Sequence, residues 1–157
     1  MEKNTPNPST SLNKARNICS KQEKCVVDIN KKLLKWGLNS SDTKIIIEKL
    51  KEEQFINETR FAKSFTREKF FQNKWGKIKI KYHLKQKKIS EKDILGAFDE
   101  IKDSEYKKVL YNLLTKKKHS IKAKNQYQLK GKLINYALSR GFENSEIYNA
   151  LEMILKQ

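Results

Sequence analysis

Proline disappears from the chain almost as soon as it begins. Its two copies, Pro6 and Pro8, sit in a stretch rich in Asn, Ser and Thr, and none follows in the rest of the 157 residues. Proline removes a backbone donor and breaks helix interiors, so its absence suits a mostly helical protein. Cysteine is equally scarce. Cys19 and Cys25 are the only two, too few for a disulfide framework and not at the usual zinc spacing. They read as packed thiols of a reducing compartment. No apolar run approaches the roughly 20 residues of a membrane span, and MEKNTPNPSTS at the start lacks the apolar middle of a signal peptide. A cytosolic protein without membrane contact is expected.

The marks of catalysis are missing as well. The chain contains no GxxxxGK[ST], GxGxxG or GxSxG, the loops that cradle phosphates or present a nucleophile. His83 and His119 have no carboxylate or cysteine partner at ligand spacing and read as surface or boundary residues. Glu52–Glu53 and Asp99–Glu100 are adjacent pairs, which diverge on a helix and make poor metal sites. No enzyme activity, metal or cofactor is expected.

Charge is abundant and unevenly spread. The formal net charge is +17, with 35 basic against 18 acidic residues, and only Arg16, Arg60, Arg67 and Arg140 are arginines. Lys69 to Ser90 holds eight lysines and no acid, and Lys107 to Phe142 holds ten basic residues and no acid. Outside these two blocks the chain is nearly neutral. A compositional drift toward lysine would spread the excess evenly, so the clustering points to a polyanion or an acidic partner surface. Lysine acts as a point charge, whereas bidentate readout of guanine is mostly an arginine task. Backbone or surface electrostatics, and not readout of a base sequence, is therefore expected.

The chain repeats itself. LLKWGLNSSDTKIIIEKL (33–50), HLKQKKISEKDILGAFDEI (83–101) and ALSRGFENSEIYNALEMIL (137–155) align on Leu38, Ile89 and Phe142. Four positions later stand Asp42, Asp93 and Glu146, suited to the positive end of a helix dipole. Apolar pairs follow at the eighth and ninth positions (Ile46–Ile47, Ala97–Phe98, Ala150–Leu151), and Leu50, Ile101 and Ile154 at the twelfth. A leucine precedes each anchor: Leu34, Leu84 and Leu138. The fold class expected is all-α, with three tandem three-helix, helix-turn-helix-like repeats stacked into an elongated, curved body. Residues 1–11 read as a disordered tail, with repeats over 12–54, 55–102 and 103–157. The helices expected are 12–19, 22–36 and 41–53, then 57–72, 76–87 and 90–102, then 104–118, 124–140 and 144–156. A capping box at Ser20–Glu23, Asn57 before Glu58, and Ser90 with Asp93 supply start signals, and Gly37 and Gly141 supply stops.

KWGKIKIKYHLKQKK (74–88) tests this reading, because Ile78, Ile80, Tyr82 and Leu84 alternate with polar residues like a half-buried strand. IKYHL (80–84) corresponds to INYAL (134–138), where the apolar spacing is helical, so the segment is expected to be a helix. On that helix Lys77, Lys81, Lys85 and Lys88 form one basic stripe. With Lys74 and Trp75, and with Lys116, Lys117, Lys118, Lys122 and Lys124 around a later helix junction, they are the candidate contacts for partner or DNA. Trp75, Tyr82 and Tyr136 have rings suited to stacking on bases, although core packing is the commoner use of such residues.

Three segments carry a resemblance: ICSKQEKCVVDINKKLLKWGL (18–38), FINETRFAKSFTREKFFQNKWGKIKIKYHL (55–84) and LSRGFENSEIYNAL (138–151). In them the chain resembles the RecX family, bacterial regulators of the recombinase RecA, and looks like its Bacteroidetes-type members. NETRFA with the WGK that follows is the more specific part, and RGF ahead of a helix is common to many proteins. The resemblance implies three tandem three-helix repeats and a non-enzymatic protein. It further implies a protein that contacts RecA filaments on single-stranded DNA, lies along the filament groove and alters assembly or ATP hydrolysis. The implied partners are the RecA filament and, weakly and without sequence preference, single-stranded DNA; a monomer is expected. The sequence departs from the family at Asn57, where an aspartate is frequent. A second reading needs no RecA: a non-sequence-specific DNA-binding protein built from helix-turn-helix-like units.

Overall fold

The computed structural model describes residues 6–156. Among these, nine α-helices follow one another without a strand: α1 (Pro8–Lys21), α2 (Val26–Lys35), α3 (Ser40–Glu52), α4 (Glu58–Arg67), α5 (Lys77–Gln86), α6 (Glu91–Phe98), α7 (Asp103–Ser120), α8 (Gln126–Ser139) and α9 (Asn144–Leu155). A π-helical turn, Glu68–Gln72, prolongs α4. The helices form three consecutive triplets, as the repeat requires. In the second unit α4 packs on α6, and in the third α7 packs on α9.

Helix starts follow side-chain chemistry. Asn39, Asn57, Ser90 and Asn125 each accept a backbone N–H from the third residue beyond, at 2.8–3.2 Å. Such a cap satisfies one of the donors that a helix start leaves free. Asn57 thus has a structural role of its own.

Two expectations near the start of the chain need correction. Residues 8–11, assigned to a disordered tail, form the first turn of α1, with Asn7 accepting from Ser9 N and Ser11 buried. Asn followed by Pro at the first helical position is itself a start signal. Residues 1–5 of the expected tail lie outside the described residues. The Ser20–Glu23 capping box does not form: α1 runs on through Lys21, and Ser20 Oγ donates to Asn17 O. Helix α2 starts instead at Val26 behind Cys25.

The same turn closes the second helix of every unit. Leu38, Ile89 and Phe142 donate to the carbonyls of Leu33, Leu84 and Ala137 at 3.1–3.2 Å. The residue before each anchor is left-handed: Gly37 (φ 93°), Lys88 (φ 59°) and Gly141 (φ 92°). This Schellman-type ending favours glycine because a Cβ crowds that conformation. It shifts the expected leucine register by one. Leu33, Leu84 and Ala137 are the buried set, whereas Leu34 and Leu138 are exposed. It also takes Lys88 off the helix, so the stripe of four lysines is three helical residues and one turn residue.

Two cores result. One, in the first unit, gathers Leu12, Ala15, Ile29, Leu33, Leu38, Ile46, Ile47, Leu50 and Ile56. The other runs through the second and third units together, from Phe61, Phe70, Ile80 and Leu84 to Leu110, Leu133, Phe142 and Leu151, and takes in Cys25 from the first. The second and third units therefore share one apolar interior.

Candidate nucleic-acid and partner interface

The candidate residues fall into two groups, one around α5 and one around the α7–α8 corner. Helix α5 has no side-chain cap and no acid in its first turn. The third unit caps it instead. Gly76 N donates to Arg140 O at 2.7 Å and Ile78 N to Gly141 O at 3.0 Å, and Lys77 N donates to the Tyr106 hydroxyl at 3.0 Å. That hydroxyl in turn donates to Glu143, and the Arg140 guanidinium donates to Asn73 O. The carbonyl end of α8 thus meets the N–H end of α5. Burial and the bond to Glu143 both push the Tyr106 phenol up, far above its ordinary range. The WGK and RGF segments quoted above are this junction.

Most lysines of the first block are engaged within the protein. Lys77 lies over the Tyr106 ring, 4.6 Å from its centroid, and at 5.9 Å over Phe98. Lys81 and Lys85 share Glu91, at 2.9 and 3.8 Å, and the lysines, led by the Lys81 hydrogen bond, hold that carboxyl below its ordinary value. Lys74 Nζ donates to Phe71 O. Lys87 pairs with Asp28 of the first unit at 2.8 Å. Burial resists ionisation of Asp28, but the bonds from Lys87 and Cys25 outweigh it and lower the pKa. Of the stripe, only Lys88 has no such contact among the described residues.

Trp75 is similarly occupied. Lys79 and Lys69 sit 4.5 and 5.1 Å from its ring centroid, and His83 and Phe65 lie at 4.7 and 6.4 Å. Burial first, then the charges of Lys79, Lys69 and Lys87, lower the His83 pKa from its ordinary value. Tyr82 remains exposed, with its hydroxyl accepting from Gln86. The Tyr136 ring lies under Lys117, 4.6 Å away.

The α7–α8 corner differs. Lys116, Lys118, Lys122 and Lys124 have no ion pair or ring contact among the described residues, and every residue from 122 to 127 is exposed. The corner is nonetheless ordered. Ser120 Oγ donates to Lys117 O, Lys132 Nζ to Lys122 O at 2.7 Å, and Lys124 N to Gln128 Oε1 at 2.8 Å, while Ile121 packs on the shared core. Tyr127 is 88% exposed. Sequence reasoning passed over this tyrosine, although it stands off the apolar positions Leu129, Leu133 and Ala137. It also missed Lys69, Lys79 and Glu91, whose roles depend on tertiary neighbours. No group of three or more His, Cys, Asp or Glu able to hold a metal occurs among the described residues, and no helix there is long and apolar enough to cross a membrane.

Fold and surface define a helical-repeat protein whose units match a known domain series. Residues 57–97 match the second three-helix domain of RecX and residues 104–151 the third. Relatives named "Regulatory protein RecX" include one from Clostridium perfringens, 29% identical over 133 residues, covering 83% of this chain and 62% of that protein. Another, from Clostridioides difficile, is 30% identical over 148 residues, covering 91% and 67%. The chain belongs to the RecX family. It spans about three fifths of the length of the Clostridium perfringens proteins it matches. Two solved structures share the fold: a regulatory protein RecX (TM-score 0.83, 23% identity, 96% of this chain and 73% of that one) and RecX from Lactobacillus salivarius (TM-score 0.81, 22%, 96% and 97%).

Proposed function

We propose that this chain regulates RecA by binding RecA filaments on single-stranded DNA and inhibiting their assembly and activity. The observation that carries the reading is the match of two consecutive three-helix units to the RecX domains. Two features of the chain support it. The second and third units form one continuous body, suited to bridging neighbouring subunits of a filament. Its net charge of +17 suits a surface where phosphate is exposed. The protein acts without catalysis of its own, in the bacterial cytosol and as a monomer. Co-sedimentation separates binding modes: the protein should pellet with preassembled filaments at physiological salt and much less with bare single strands.

A second reading, RecA-independent DNA binding, is favoured by one observation, the cluster of Lys116, Lys118, Lys122 and Lys124, which have no ion pair or ring contact among the described residues. It requires useful affinity for bare DNA at physiological salt, whereas filament binding tolerates weak and nonspecific affinity.

A further inference from the structure

We infer that the α7–α8 corner, and not the α5 stripe, is the surface that meets single-stranded nucleic acid, with Lys116, Lys118, Lys122 and Lys124 on the phosphates and Tyr127 stacking on a base. The inference rests on the proposed function and assigns the DNA contact to the third unit.

A lysine already paired with a carboxylate, or lying over a ring, gives up that interaction when it takes a phosphate. Lys77, Lys81 and Lys85 are committed in this way, and Lys69, Lys79 and His83 all lie within 5.1 Å of the Trp75 ring centroid. The four corner lysines lose nothing comparable.

Repeat symmetry shows how unusual the corner is. In the first unit, the residues between the first and second helices are used internally: Cys25 is buried in the neighbouring core and Glu23 accepts from Arg60. In the second, Asn73 and Gly76 bond to Arg140 of the third. The matching corner of the third unit, residues 122–127, is exposed throughout. It carries two lysines and a tyrosine where the other corners carry packing and pairing groups.

Tyr127 narrows the class of ligand. An aromatic ring 88% exposed and next to lysines offers a stacking face to a base that is not already stacked in a duplex. With no arginine between Lys107 and Ser139, sequence-independent contact is the form expected.

The test is fluorescence anisotropy of the full chain with a labelled oligothymidine and, separately, a duplex of equal length, across a salt series. Lys116→Gln/Lys118→Gln/Lys122→Gln/Lys124→Gln should weaken single-strand binding at least about tenfold and lower the log–log salt slope by about 2–3, since each single-strand phosphate contact contributes roughly 0.7. A charge-matched comparator, Lys77→Gln/Lys81→Gln/Lys85→Gln/Lys88→Gln, should lose about threefold or less. Tyr127→Leu should cost about tenfold on the single strand and little on the duplex, and Tyr127→Phe should restore binding. Equal or greater loss from the stripe set would overturn the inference, as would a Tyr127→Leu variant that binds oligothymidine like the parent. These readouts contain no RecA, so a failure of the filament reading leaves them interpretable.

Discussion

Gly76 and Gly141 meet backbone to backbone at the junction of the second and third units. A Cβ at Gly76 would overlap the Gly141 carbonyl, and one at Gly141 would overlap Lys79. Gly141 also needs its left-handed φ of 92°. Gly76→Ala or Gly141→Ala should therefore destabilise the chain by about 1–3 kcal/mol, the usual range for forced overpacking. That corresponds to roughly 2–4 °C in Tm per kcal/mol for a chain of this size, measured by circular dichroism. Unchanged melting would mean that the junction can open without consequence for stability.

Lys88 occupies the position that Gly37 and Gly141 fill in the other units, with a Cβ in a conformation that disfavours one. Lys88→Gly should stabilise the protein by about 1 kcal/mol, and urea unfolding reads the change. A fall in stability would show that the lysine side chain makes contacts worth more than the strain.

The two thiols are buried and free. Burial is the main cause that raises both, Cys25 to about 11. A colourless thiol reagent that releases a chromophore should label neither quickly at pH 8, and both at once in denaturant, because the thiolate is the reactive form. Fast labelling of Cys25 in the native protein would mean that the first unit detaches readily from the second.

Glu58 gives a pH test at that same junction. Burial raises its pKa, Asp93 and Asp28 add to the rise, and a backbone bond from Val26 and the charge of Lys51 oppose it. Its Oε2 is buried with no hydrogen-bond partner among the described residues. The folded state holds this proton more tightly than the unfolded state does. Stability therefore falls as pH rises from the ordinary glutamate value of 4.5 through the raised folded value. Glu58→Gln should flatten that slope and match or exceed the parent in stability at pH 7, as read by chemical denaturation at several pH values. A strong loss at pH 7 would show that the ionised form is needed.

Much of the fold could be read from the sequence because the repeat rests on apolar periodicity and on helix ends. Ile46–Ile47, Ala97–Phe98 and Ala150–Leu151 mark the third helix of each unit, and Ser90 and Asn57 act as caps. Leu34 and Leu138 misled by one position, since a leucine beside the buried row looks the same in sequence as a leucine within it. The site was less legible. The stripe looked free of acids because Glu91, which pairs with its Lys81 and Lys85, and Asp28, which pairs with the adjacent Lys87, come from other helices. Trp75 looked available because the lysines that cover it are six residues before and four after. Tyr127 was overlooked because its exposure depends on which corner the other units leave open.

The most direct test of the regulatory account is ATP hydrolysis by RecA filaments preassembled on single-stranded DNA, with this protein titrated in well below the DNA concentration. The account predicts a fall in hydrolysis at these substoichiometric amounts. An unchanged rate until the protein is sufficient to coat the DNA would contradict it, and would leave competition for phosphate as the mode of action.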